Sequence, residues 1–127
     1  MSASKTEQRH LFEHGRLSYL QIPATNVRAS GDFYASVFGW GKGNDDHLSF
    51  SDATRSMIGA WVTERVSSQD AGVLPYIYVH GIDSLLEQIR KHGGEIVKPP
   101  YPEGDLWVAT FQDPAGNVIG IWQQGPR

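Results

Sequence analysis

Apolar and polar residues alternate over Leu17-Ser-Tyr-Leu-Gln-Ile22, and Pro23 closes the run, which predicts a strand. The period then changes. Thr25 and Asn26 are good helix N-caps. Beyond them Ala29, Phe33 and Val37, flanked by Tyr34 and Phe38, mark one helical face that stops at Gly39. Gly31 lies inside that helix and weakens it by up to about 1 kcal/mol relative to alanine. Three short strands fit next, around Trp40, over His47 to Ser51 and over Met57 to Thr63. The polar stretch from Glu64 to Gly72 reads as a linker.

The same order then returns. Pro75-Tyr-Ile-Tyr-Val79 alternates as a strand. Asp83 or Ser84 caps a helix whose buried stripe is Leu85, Leu86 and Ile89, with Ser84-x-x-Glu87 resembling a capping box. Gly93-Gly94 end it. Strands follow around Glu95 to Lys98, Leu106 to Gln112 and Asn117 to Gln123. Asp113-Pro-Ala-Gly116 has the residues that a type I turn prefers between the last two. Ile22 matches Val79, Gly39 matches Gly93 or Gly94, and Gly59-x-Trp61 matches Gly120-x-Trp122, at offsets of about 54 to 61 residues. This is a drifting duplication; two unrelated α+β stretches are the competing reading. The expected fold class is α+β, a mixed sheet with its helices on one face. Residues 1–15 are expected to form a flexible leader and 16–127 a single domain, with modules at about 16–63 and 74–123 and a linker at 64–73.

Successive strand side chains point to opposite faces. Leu20 and Ile22, Ile58, Ala60 and Val62, Ile77 and Val79, and Ile119 and Ile121 are uniformly aliphatic and are expected to meet the helices. The other parity carries Leu17, Tyr19 and Gln21; Met57, Gly59 and Trp61; Leu74, Tyr76 and Tyr78; and Val118, Gly120 and Trp122. Its two glycines are expected to leave room above the backbone. An aromatic wall with a few hydroxyl and amide groups suits a small organic ligand. A second subunit packed on that face is an equal alternative.

Composition narrows the classes. The chain has 127 residues, 39% hydrophobic and 20% charged, which is globular rather than disordered. Its net charge is −3, and the longest runs of one sign are Asp45-Asp46 and Arg90-Lys91, so no nucleic-acid footprint is present. Cysteine is absent, which removes disulfides and thiolate chemistry. No signal-peptide pattern or membrane-length apolar run occurs, so a cytoplasmic setting without membrane partners is expected.

Four segments carry a resemblance. Ile22-Pro23-Ala24, Phe33-Tyr34 with Phe38-Gly39-Trp40, Gly93-Gly94-Glu95-Ile96-Val97, and Asp113-Pro114-Ala115-Gly116-Asn117 resemble the vicinal oxygen chelate superfamily. That group includes glyoxalase I, bleomycin-resistance proteins, fosfomycin-resistance enzymes and extradiol dioxygenases. The resemblance spans about residues 16 to 123. It implies two tandem βαβββ modules forming a curved mixed sheet around a cleft, helices on the outer face, and commonly a homodimer. Metal-dependent members place His or Glu ligands on the first and last strand of each module. The matching positions here are Leu17, Gly59, Leu74 and Gly120, whose side chains offer no lone pair to a cation. No metal and no cofactor are therefore expected.

Other chemistry is sparse. His10 and His14 have metal-like helical spacing but lie in the leader. His92 falls in the last turn of a helix, and His80 beside Gly81 belongs to a loop. His47 alternates with Ser49 and Ser51 and is the general-base candidate. Tyr19 and Tyr76 are further catalytic candidates, and with Tyr78 they can donate hydrogen bonds to an oxyanion; amphipathic wall residues are the plainer reading. No nucleophile elbow, Walker loop or dinucleotide fingerprint is present. The expected ligand-binding set is Tyr19, Gln21, Met57, Gly59, Trp61, Tyr76, Tyr78, Gly120 and Trp122. The preferred function is metal-free binding of a small organic molecule. The alternatives are a metal-independent isomerase, lyase or transferase on an oxygenated substrate, and a ligand-free dimeric module.

Overall fold

The computed structural model of the protein describes residues 12–43, 48–69 and 72–127. The chain divides between Arg65 and Val66 into two compact units, and each holds one βαβββ module.

In the first module β1 (Tyr19–Pro23) leads into α1 (Val27–Phe38). Asn26 caps the helix, its side chain accepting from the Ala29 N–H at 3.0 Å. Gly39 ends it at φ 73°, a left-handed conformation that glycine adopts without steric cost. β2 (Gly41–Lys42), β3 (Ser49–Ser51) and β4 (Ile58–Val62) follow, and the sheet order is β1-β4-β3-β2. β1 and β4 are parallel, and the remaining pairs are antiparallel. The buried helix stripe is Ser30, Gly31, Phe33, Tyr34 and Val37, whereas Ala29 is exposed. The stripe is rotated toward small residues because the sheet presents an indole to it. A Cβ on Gly31 would lie 3.5 Å from Trp61 Nε1.

In the second module β5 (Tyr76–Tyr78) leads into α2 (Ile82–Lys91), then β6 (Glu95–Glu103), β7 (Leu106–Gln112) and β8 (Val118–Gln124). The order β5-β8-β7-β6 repeats that of the first sheet, again with one parallel pair. Helix α2 starts earlier than Asp83 or Ser84. Its N-cap is Gly81, which makes no side-chain capping bond. The Ile82 N–H donates instead to Gln123 Oε1 on β8 at 2.7 Å, so a distant strand satisfies the helix end. This brings Ile82 into a stripe with Leu86 and Ile89, all buried, and leaves Leu85 half-buried.

Strand β6 is longer than the four residues its pattern suggested, and it runs through Pro99 and Pro100. It lies at the sheet edge, where its register shifts between Ile96 and Lys98 and again between Lys98 and Tyr101. Bulges at an edge accommodate prolines because no second strand needs their missing N–H groups.

The β7–β8 turn is held by side chains. Asp113 Oδ1 accepts from the N–H groups of Ala115 at 3.0 Å and Asn117 at 2.9 Å, and Asn117 Nδ2 donates to Asp113 Oδ2 at 3.0 Å. Gly116 occupies φ 94°. Asn117 Oδ1 also accepts from the Ser68 N–H at 2.9 Å, which binds the segment after Arg65 to the second module.

Candidate functional site

Strand register decides which side chains share a face, because bridged partners point the same way. In the first module Leu20 pairs with Gly59 and Ile22 with Trp61, while Phe50 pairs with Gly59. These side chains therefore face α1. Trp61 is 3% exposed and packs against Tyr34 at 5.3 Å, Phe50 at 4.5 Å and Trp40 at 6.4 Å between ring centroids. The parity expected for β4 is thus inverted. Gly59 and Trp61 belong to the helix side, and Ile58, Ala60 and Val62 share the other face with Tyr19 and Gln21. Nor does Gly59 leave room: a Cβ there would meet Leu20 O at 2.1 Å and the Phe50 ring at 2.3 Å.

On the opposite face of that sheet Tyr19 and Ile58 are bridged neighbours, and both are exposed. The Gln21 amide oxygen is already engaged by Arg65 Nε at 3.0 Å. Met57 is half-buried just before β4. His47 lies outside the described residues, as does His10.

The second module follows the expected parity. Tyr76 pairs with Gly120 and Tyr78 with Trp122, on the face away from Ile77 and Ile121. Register adds residues that the sequence did not suggest. Lys98, Thr110, Gly120 and Tyr76 form one row across all four strands, and Tyr101, Val108, Trp122 and Tyr78 form the next. Tyr101 was missed because it follows two prolines, which hid the strand. Thr110 and Val108 gave no alternation signal, because the whole run from Val108 to Phe111 is buried.

This face is a partly exposed aromatic platform. The Tyr78 and Trp122 rings meet edge to face at 4.7 Å, and His80 stands perpendicular to Tyr78 at 5.4 Å. Lys98 Nζ lies 4.1 Å from the centre of the Tyr101 ring, a cation–π contact. The Tyr76 phenol is pushed above its ordinary pKa, first by burial, then by the neighbouring Tyr101 and Glu103 and by its hydrogen bond with Tyr101. It therefore holds its proton at neutral pH and acts there as a hydrogen-bond donor, not as a base. The space over Gly120 is filled: a Cβ there would lie 2.4 Å from Tyr76 Cε2.

Among the described residues, the donors on the faces away from the helices do not suit a divalent cation. On the first and last strands of each module the faces away from the helices offer Tyr19, Gln21, Ile58 and Ala60, and Tyr76, Tyr78, Gly120 and Trp122. Among the described residues no three His, Cys, Asp or Glu side chains converge as a metal site. Tightly held divalent cations need such imidazole, thiolate or carboxylate groups.

Two βαβββ modules with matching strand orders, one of them bearing an aromatic face, define an α+β protein of the glyoxalase type. The Glyoxalase/Bleomycin resistance protein/Dioxygenase superfamily model matches residues 16–121, and the chain belongs to that superfamily. CFP32 of Mycobacterium tuberculosis, which carries a provisional glyoxylase name, is 25% identical over 127 residues, covering 91% of this chain and 48% of CFP32. The anthracycline biosynthesis protein DnrV of Streptomyces peucetius is 24% identical over 135 residues, covering 90% of this chain and 49% of DnrV. The chain thus spans about half the length of the curated relatives it matches. A glyoxalase/bleomycin resistance protein/dioxygenase family enzyme from Burkholderia phytofirmans superimposes with a TM-score of 0.70 at 20% identity, over 84% of this chain and 97% of that one. The fosfomycin resistance protein FosX of Listeria monocytogenes gives 0.70 at 13% identity, over 87% and 94%. These likenesses show the fold. No helix of the described residues is long and apolar enough to cross a membrane.

Proposed function

We propose that this protein binds a small, flat organic molecule on the aromatic face of its second module, without a metal ion. The observation that carries this reading is the exposed Tyr78 ring against the half-buried Trp122, beside the Tyr76–Tyr101 phenols on one sheet face. Aromatic rings placed edge to face leave a flank for a third ring, and each such contact adds about 0.5–1.5 kcal/mol beyond area burial. Covering roughly 200 Å² of apolar surface contributes about 5 kcal/mol before the cost of association is subtracted, so weak binding is expected. Phenol donors then fix its orientation. Metal independence rests on the donor set: tyrosine, leucine, glycine and tryptophan stand where a cation would need imidazole or carboxylate.

A homodimer belongs to the same proposal. Leu17, Tyr19 and Ile58 are exposed on the first module, and the matched relatives are about twice as long. A cytoplasmic setting is part of the proposal, and the cysteine-free composition is compatible with it.

The test is a thermal-shift and fluorescence titration with 2-naphthol and a wider set of flat aromatics. A ligand that binds only the native state raises its melting temperature. Trp122→Ala is expected to weaken binding at least tenfold. The reading fails if no aromatic binds, or if about one equivalent of Zn, Ni, Mn or Fe co-purifies and is lost to chelation.

A further inference from the structure

The glycine at the centre of this face does not open a cavity, because the protein fills the space itself. The Tyr76 ring lies directly above Gly120, where a Cβ would come within 2.4 to 2.8 Å of three of its carbons. Contact that close requires glycine beneath the ring. Register explains the geometry. Tyr76 is on edge strand β5, Gly120 is its bridged neighbour on β8, and Thr110 is the next in the row. The ring thus lies inward over the sheet, and its hydroxyl is hydrogen-bonded to Tyr101 of the opposite edge strand, β6. Two phenols from the two edges meet across the middle of the face. Thr110, between them, is only 8% exposed.

Tyr76 itself remains 45% exposed, and it is held from an edge strand. Its ring can leave the slot by side-chain rotation, without moving the sheet. A slot floored by glycine and ended by the Tyr101 hydroxyl has the shape and hydrogen-bonding of the phenol that now occupies it.

We infer that the slot over Gly120 is the subsite for a hydroxylated aromatic ring of the ligand, and that Tyr76 is a placeholder displaced when the ligand enters. The inference rests on the binding face proposed above and names the chemical class that face takes. An entering phenol takes over both the contact with the glycine backbone and the hydrogen bond with Tyr101. An unhydroxylated ring gains the first and loses the second, leaving a partly buried hydroxyl unpaired.

The experiment measures the affinity of 2-naphthol and naphthalene for the wild-type chain and for three variants, Tyr76→Ala, Tyr76→Ala/Gly120→Val and Tyr101→Phe. Melting curves confirm that each is folded. If Tyr76 competes for the slot, Tyr76→Ala binds 2-naphthol about tenfold more tightly than the wild type. Adding Gly120→Val abolishes that gain, and Tyr101→Phe removes the preference for naphthol over naphthalene. Binding by the wild type that Tyr76→Ala leaves unchanged or weakens makes Tyr76 a wall of the site, and the placeholder idea falls while the binding face stands. Equal gains for naphthalene and naphthol overturn the assignment of a hydroxylated ring. Failure of both compounds to bind any of the proteins removes the face and the inference together.

Discussion

Gly59-x-Trp61 and Gly120-x-Trp122 end equivalent strands of two modules with the same strand order, yet their tryptophans face opposite ways. Trp61 points at α1 and is buried among Tyr34, Trp40 and Phe50. Trp122 points away from α2 and meets Tyr78 on a partly exposed face. The helix sides differ to match. In the first module Gly31 of the helix lies beside the Trp61 indole, and aromatic rings fill the interior. In the second, Ile82, Leu86, Ile89, Ile119 and Ile121 are buried with the single ring of Phe111, and the core is largely aliphatic. The first module uses its aromatic residues for stability, and the second leaves a comparable set on the surface. Spare aromatic surface of that kind is what recognition of a flat molecule needs.

The sharpest way to break this comparison is to truncate each tryptophan. Trp61→Ala should cost about 3–5 kcal/mol in urea denaturation, as large-to-small core changes do. Trp122→Ala should cost about 1 kcal/mol while weakening aromatic ligands. Equal costs would mean that the two faces are not distinct.

The glycines give the next contrast. Gly59→Ala meets backbone, the Leu20 carbonyl oxygen at 2.1 Å, and is expected to destabilise by about 3 kcal/mol. Gly120→Ala meets only the Tyr76 side chain, which can rotate away, so about 1 kcal/mol or less is expected. The same denaturation assay reads both.

A smaller effect separates the turns. Asn117→Ala removes the bonds to Asp113 and to the Ser68 N–H and is expected to cost about 2 kcal/mol. Helix α1 offers a gain instead. Gly31 has a negative φ and ordinary space for a methyl group, so Gly31→Ala should stabilise the protein by about 0.5–1 kcal/mol. A loss there would show that Trp61 packs more tightly on α1 than its 3.5 Å contact implies.

Alkaline pH gives the smallest signal. The native Tyr76 pKa lies above the unfolded one, so the native state keeps a proton that the unfolded chain loses. Its contribution is fully present below pH about 10 and is lost as pH rises through the native pKa. Tyr76→Phe should flatten that limb of the stability curve, and an unchanged limb would assign it to other groups.

What could be read from the sequence follows from how local each determinant is. The Asn26 and Gly39 caps of α1 sit beside the helix they bound, and both were legible. The start of α2 was not, since Gln123 satisfies its first N–H from 41 residues away. The face of β5 and β8 was legible because Tyr76, Tyr78 and Trp122 contrast with Ile77 and Ile121. On β4 the tripeptide motif pointed the wrong way: aliphatic Ile58, Ala60 and Val62 suggested a core face that Trp61 in fact occupies. The pairings of Ile22 with Trp61 and of Leu20 and Phe50 with Gly59 reveal it. Tyr101 was hidden by a proline-bearing edge strand that irregular register makes possible.

The most direct test follows the four tryptophan indole N–H signals by heteronuclear NMR while 2-naphthol is added. If ligand is held by the second module's open face, the Trp122 signal moves in a saturable way and that of the buried Trp61 stays in place. A Trp122 signal that does not move while Trp61 responds would put the ligand on the other side of the sheet and contradict the account.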